Sequence, residues 1–232
     1  YNPIGMIEAR IILQIVLYDL AKRIIDAGGE VLSINTDGLF WCDNNVVDFS
    51  VVEEWSSFWN LAIGYDNVPN YIAKSDNDRL LLDKNKKIIE AAGDDLVHQS
   101  FSDLFKLGTK PLVVDRVVAQ KLINPDTPLL DLLKKEFESG DVEAFMFTSK
   151  AQRHSKTVVN LKVAPRVNRF LLTKTGDSIG TYLVKTEAIG KLINVPDSPV
   201  RIFNDKIPEK LPEDLNLDAY LGLIETVYSH WD

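Results

Sequence analysis

The sequence predicts an α+β fold in which an antiparallel sheet is covered by helices. Three observations predict it. Apolar residues recur at helical spacing from Pro3 to Ala27. Short β-prone runs come in pairs joined by polar turns. A helical stretch separates the two pairs, so the order is helix, hairpin, helix, hairpin.

The first element reads as a long helix from Pro3 to Ala27. Pro3 suits a first-turn position, and Gly28-Gly29 supplies the stop, since glycine enters left-handed backbone at little cost. Ile4, Ile7, Ile11, Ile15, Tyr18 and Ile25 form its stripe, and Ile12, Leu13, Val16 and Leu17 widen it, so the helix is expected to be buried on most sides. Arg10 on such a helix needs a carboxylate partner or a path to solvent. Glu30–Ile34 and Leu39–Cys42 flank the polar turn Asn35-Thr36-Asp37-Gly38 and read as a hairpin. Asp43 to Asn60 reads as a second helix with Val46, Val47, Val51, Trp55, Phe58 and Trp59 inward, and Asp43 and Asp48 at its start. Asn70–Ala73 and Leu80–Leu82 read as strands around a polar turn at 75–78.

From Leu96 the pattern changes. Phe101–Leu107, Lys110–Ile123, a segment opened by Pro125–Pro128 and ended by Gly140, and Asp141–Phe147 read as helices. Phe170–Thr173 and Tyr182–Val184 read as strands, and Leu217–His230 as the last helix. The expected division is residues 1–95 and residues 96–232, the second part mixed but mainly helical. Trp41, Trp55, Trp59 and Trp231 fall in apolar patterns and are expected to pack.

Composition narrows the function classes. The 232 residues are 45% hydrophobic and 26% charged, enough for a core. Cys42 is the single cysteine, which excludes an internal disulfide framework, and its place after the hairpin strand suits a small buried hydrophobe. Three histidines, His98, His154 and His230, lack ligand spacing, so any metal chemistry falls to carboxylates. The longest apolar stretch, Ile4 to Ala27, carries six charges and does not read as a membrane span, which predicts a soluble, cytoplasmic protein. The start at Tyr1, inside structured sequence, suggests a piece of a longer chain.

Two features point to chemistry. Asp37 sits in a turn directly after a hydrophobic strand, where a carboxylate could meet a metal-bound phosphate. Asn-Thr-Asp-Gly is equally ordinary turn chemistry. The second feature is charge. The chain has 26 basic and 34 acidic residues, net −8, yet Lys150, Arg153, Lys156, Lys162, Arg166, Arg169 and Lys174 fall in a window with no acid. Such a stripe could follow a phosphate backbone, or it could be a solvated face paired with acids elsewhere.

Tyr1-Asn2-Pro3-Ile4-Gly5-Met6, Ala9-Arg10 and the long helix, followed by Ser33-Ile34-Asn35-Thr36-Asp37-Gly38-Leu39-Phe40, resemble the palm of family B DNA polymerases. The phage members, including protein-primed ones, look most similar. Asn70-Tyr71-Ile72 is similar to the strand bearing the family's Lys-x-Tyr primer motif. Asn168-Arg169-Phe170 with Lys174-Thr175-Gly176 is similar to a C-terminal Asn-Arg-aromatic segment. The resemblance implies a palm in residues 1–95 and a thumb in residues 96–232.

It also implies roles. Asp37 matches the aspartate that holds both catalytic Mg²⁺ ions, and Tyr71, Lys74, Arg166 and Arg169 would hold primer–template DNA. The reaction implied is nucleotidyl transfer from a dNTP to a primer 3′-hydroxyl, with no membrane involved. The sequence departs from the family at four places. The first turn aspartate falls on Asn35, the turn serine on Gly38, the preceding tyrosine on Ser33, and the lysine of Lys-x-Tyr on Pro69, with Lys74 as a displaced replacement. The second catalytic aspartate, the fingers and the exonuclease would have to come from an upstream segment or a companion polymerase chain. The alternative is a non-catalytic DNA-binding or scaffold module derived from a polymerase palm.

Overall fold

The computed structural model describes residues 3–35, 38–42, 46–75, 77–93, 96, 110–151, 153–192 and 195–231. They form a mixed α+β protein with antiparallel sheets. Packing divides the chain into two compact units. One comprises Tyr1–Pro69 with Ala73–Asn77, the other Asn70–Ile72 with Asp78–Asp232. This division falls before the boundary read near residue 95.

In the first unit, helix α1 spans Pro3–Asp26. It stops where expected: Gly28 takes φ +90°, and the amides of Gly28 and Gly29 donate to the carbonyls of Ile25 and Ile24, both at 2.9 Å. Strands β1 (Glu30–Ile34) and β2 (Leu39–Cys42) pair antiparallel from Glu30↔Cys42 to Ile34↔Leu39, with an irregularity between Val31 and Ser33. Helix α2 (Ser50–Trp59) then packs on α1. Val16, Leu20 and Ile24 of α1 meet Val52 and Trp55 of α2, flanked by Val31, Leu39 and Trp41 of the hairpin. Two indoles stitch the helices together. Trp55 Nε1 donates to the Val16 carbonyl at 3.0 Å, and Trp59 Nε1 donates to Asp19 Oδ2 at 2.9 Å.

Three expectations for this unit are corrected. Helix α1 is not buried on most sides. Only residues in its C-terminal half, Val16, Leu17, Leu20, Ala21 and Ile24, are buried, whereas Ile4, Ile7, Ile11, Ile12 and Ile15 are all more than half exposed. The returning chain covers α1 from Val16 onward, so apolar spacing alone overstated the buried face. Arg10 lies in the uncovered half and is exposed. Helix α2 begins at Ser50, not Asp43, because Asp48 Oδ1 accepts the Ser50 amide at 3.0 Å and turns the chain there. Its inward positions are Val52 and Trp55, while Val46 and Phe58 are exposed. Asp43 lies outside the described residues, and Cys42 is half-buried.

The second unit opens with β3 (Asn70–Ala73, whose last residue belongs to the first unit), β4 (Arg79–Leu82) and β5 (Ile88–Ala92), in that order across one sheet. Helices α3 (Leu112–Ile123), α4 (Leu129–Ser139) and α5 (Val142–Phe145) follow. Gly140 ends α4 in left-handed backbone at φ +72°, as its type and place suggested. The expected helix at 101–107 and His98 lie outside the described residues. Asp141 caps α5 by accepting the Ala144 amide at 3.2 Å.

The rest is richer in sheet than expected. Strands β6 (Phe147–Lys150), β9 (Val167–Asp177) and β12 (Val200–Ile202) form one sheet in the order β12–β9–β6. Strands β7 (Ser155–Val159), β8 (Lys162–Val163), β10 (Ile179–Leu183) and β11 (Ala188–Gly190) form another, ordered β11–β10–β7–β8. Helix α6 (Leu217–Tyr228) ends in a 3₁₀ turn at Ser229–Trp231. Among the described residues, seven strands therefore accompany four α-helices where a mainly helical region was expected.

The core of this unit gathers Val113, Val117, Leu133, Phe145, Phe147, Phe170, Leu172 and Val200 around the ring of Tyr220. Phe147 and Phe170, directly paired across β6 and β9, stack with ring centroids 5.3 Å apart. The Tyr220 hydroxyl donates to the Phe145 carbonyl at 2.7 Å and accepts the Leu172 amide at 3.2 Å. Burial pushes its pKa well above the ordinary phenol value, so it stays a donor at any physiological pH. No described helix is long and apolar enough to cross a membrane.

Candidate nucleic-acid interface

The two strands that flank residues 35–38 pair antiparallel, as a hairpin was expected to. Ile34 pairs with Leu39, and the Asn35 amide donates to the Gly38 carbonyl at 2.8 Å, closing the link between the strands. Asp37 itself lies outside the described residues, with Thr36. Among the described residues no group of three or more His, Cys, Asp or Glu side chains could hold a metal ion.

Tyr71 lies in β3. Ile72 beside it packs toward the core of the second unit, so strand alternation turns Tyr71 to the opposite face. Tyr71 is half-buried and its hydroxyl oxygen is buried, which suits packing better than direct contact with a ligand. Lys74 follows the strand and is exposed.

The basic segment has the most informative geometry. Lys150, Arg153, Lys156, Lys162, Arg166 and Lys174 are exposed. None of the seven basic residues forms an ion pair among the described residues. Lys22, Arg23, Arg79, Lys110, Arg116, Lys191, Arg201 and Lys206 all do. The reading in which this stripe is neutralised by acids elsewhere in the fold therefore lacks support among those residues. Lys150, at the end of β6, pairs with Val167, and the neighbouring Ala151 amide donates to the Arg166 carbonyl at 2.8 Å. This brings Lys150, Arg153 and Arg166 to one end of the β6–β9 ladder.

The segment is not a single flat face. Val158 pairs with Val163, and Val159 with Lys162. Paired residues share a side and successive residues alternate, so Lys156 and Lys162 project from opposite faces of their sheet.

Arg169 differs from the other six. It is half-buried in β9, and its guanidinium donates to the Asn204 carbonyl. Its amide donates to Asn204 Oδ1 at 3.0 Å. The adjacent Asn168 is fully buried, donates to the Pro165 carbonyl at 2.7 Å and accepts from Asn204 Nδ2 at 2.9 Å. Phe170 is core. The Asn-Arg-aromatic run thus fastens the loop after β12 to β9, and Arg169 holds structure in place.

Sequence reasoning missed Asn204, Asn160 and Asp214. Asn160 bonds to Asp177 and Ser178, and Asp214 accepts from Thr175 and Arg201. Each acts across 13 to 39 residues of chain, and no local pattern marks it. The Thr175 hydroxyl, with Arg201 beside it, holds the Asp214 carboxyl below the ordinary carboxylate range. The sequence matches no known family model and no curated protein.

Proposed function

We propose that this chain is the C-terminal palm and thumb portion of a family B DNA polymerase, with the basic segment 150–174 holding primer–template DNA. The single observation that carries DNA binding is the absence of any ion pair to those seven basic residues among the described residues. Six of the seven are exposed, and such a run of cations without an ion pair among the described residues, in a chain of net −8, suits a polyanion, because each phosphate contact releases condensed counterions. The polymerase assignment adds the resemblance around Asp37, and the antiparallel pairing of the two strands that flank it is compatible with that reading.

In this reading Asp37 would hold Mg²⁺ together with a carboxylate from an upstream segment or companion chain. Bound Mg²⁺ supplies charge stabilisation for phosphoryl transfer from a dNTP. The chain's own contribution would be to supply that carboxylate from the link between β1 and β2 and to grip the DNA backbone.

A second reading, a DNA-binding module without catalysis, is favoured by Asn35 and Pro69, where the family pattern has an acid and a lysine. Primer extension separates the two. The chain is combined with the complementing polymerase segment, a primed template, dNTPs and Mg²⁺. Extension that requires Asp37 supports the first reading. DNA binding without extension supports the second, and no DNA binding contradicts both.

A further inference from the structure

The link between β7 and β8 is two residues long, Asn160 and Leu161, both at positive φ (48° and 65°). Such links favour Asn followed by Gly, because an L side chain is strained in left-handed backbone. Leu161 is the only apolar non-glycine residue with positive φ among the described residues. It gains little packing in return, since the residue is 76% exposed. The neighbouring fold anchors Asn160, the residue before it. Asn160 Nδ2 donates to Asp177 Oδ1 at 2.6 Å, Asn160 Oδ1 accepts the Ser178 amide at 2.9 Å, and the Asn160 amide donates to the Ser178 carbonyl at 3.0 Å. Left-handed backbone at an exposed apolar residue, beside an anchored Asn160, points to a use outside the chain.

The surroundings suggest that use. Lys156 projects from one face of the hairpin and Lys162 from the other, and Arg166 follows shortly in the chain. All three are exposed and none is ion-paired among the described residues.

We infer that Leu161 is an apolar wedge that packs against an unstacked base where a DNA duplex opens into single strands, with Lys156 and Lys162 contacting phosphates of the strands that part around it. This inference rests on the DNA-binding reading above and adds the class of DNA structure recognised. Apolar side chains inserted at a base step cover the exposed base face, and flanking cations take the backbone. A lipid surface fits less well. One leucine offers little apolar area to a bilayer, and cations on both faces of a sheet straddle a ligand rather than line a plane.

The test compares a forked DNA carrying 2-aminopurine at its junction with a blunt duplex of the same sequence. The wild-type chain should bind the fork about tenfold more tightly, as expected for burying one leucine side chain, and should raise 2-aminopurine fluorescence. Leu161→Asn and Leu161→Gly both suit the left-handed backbone, so each should keep the wild-type thermal midpoint or exceed it. Each should lose the fluorescence rise and bind the two DNAs alike. Lys156→Glu with Lys162→Glu should weaken binding to both. If the Leu161 variants keep the fork preference and the fluorescence rise, the wedge is wrong while the DNA-binding reading stands. If the chain binds neither DNA at low salt, both fall. Leu161-dependent binding to phosphatidylserine vesicles that is tighter than to the fork overturns the wedge in favour of a lipid surface.

Discussion

Asn204 donates its side-chain amide to Asn168 Oδ1 at 2.9 Å and, through its own Oδ1, accepts the backbone amide of Arg169 at 3.0 Å. One residue thus ties the buried end of the Asn-Arg-Phe run to the loop after β12. The consequence for the basic segment is a division of labour: Arg169 is spent on the fold, and its exposed neighbour Arg166 is available to a ligand.

Arg169→Ala and Arg166→Ala should therefore behave differently. Losing the Arg169 guanidinium removes a hydrogen bond to a backbone carbonyl in a half-buried setting, at a cost of about 1–3 kcal/mol. Arg166→Ala should change stability by less than about 0.5 kcal/mol. Urea unfolding of the two variants checks this, and equal stabilities would contradict the division.

Tyr220→Phe should lower unfolding stability by about 1–3 kcal/mol. The change leaves the Phe145 carbonyl and the Leu172 amide, both held by the phenol, without that partner in a dry core. The expected sign is a lower denaturant midpoint with an unchanged slope, since the same surface is exposed on unfolding. A midpoint equal to wild type would show that the phenol adds no net stability.

Asp214 supplies a pH dependence. Its folded-state pKa lies below the ordinary value near 4, so its contribution is complete above that value and is lost as pH falls through the folded-state one. The stability gap between wild type and Asp214→Asn should be constant above about pH 5 and shrink below about pH 4. A gap that widens on acidification would reverse the sign and contradict the Thr175 and Arg201 contacts.

Several elements were legible because their signals are local. Gly28 ends α1, Gly140 ends α4, and a polar four-residue link joins β1 to β2, each decided by residues within one turn. The buried face of α1 was not legible. Apolar spacing states what a helix can bury, and only the returning chain decides that Val16 is covered while Ile12 is not. The strand Phe147–Lys150 continued an apolar run that read as helical, and its pairing with β9 fixes it as sheet. Ser155–Val159 and Lys162–Val163 carry polar and basic residues and take strand form from their partners. In the candidate site, the charge of segment 150–174 was plain in the sequence. Its distribution over two faces of a sheet, and the withdrawal of Arg169 into structure by Asn204, depend on residues far apart in the chain.

On the polymerase reading proposed above, Asp37→Ala in the chain combined with its complementing segment should lower primer extension by roughly a thousandfold or more, because a carboxylate that would be shared by two metal ions would contribute several kcal/mol to the transition state. Asn35→Ala should lower it far less, since a neutral side chain adds little charge stabilisation. Steady-state extension rates check both. Comparable losses would show that the roles are assigned wrongly.

The claim that segment 150–174 grips DNA is tested most directly by charge reversal across a salt series. Lys150→Glu, Arg153→Glu and Arg166→Glu are combined in one chain, and duplex binding is measured from low to moderate salt. Binding to all sequences should weaken alike, with the slope of log K against log salt flattened by roughly one for each phosphate no longer neutralised. Parental affinity and parental slope in the triple variant would contradict it.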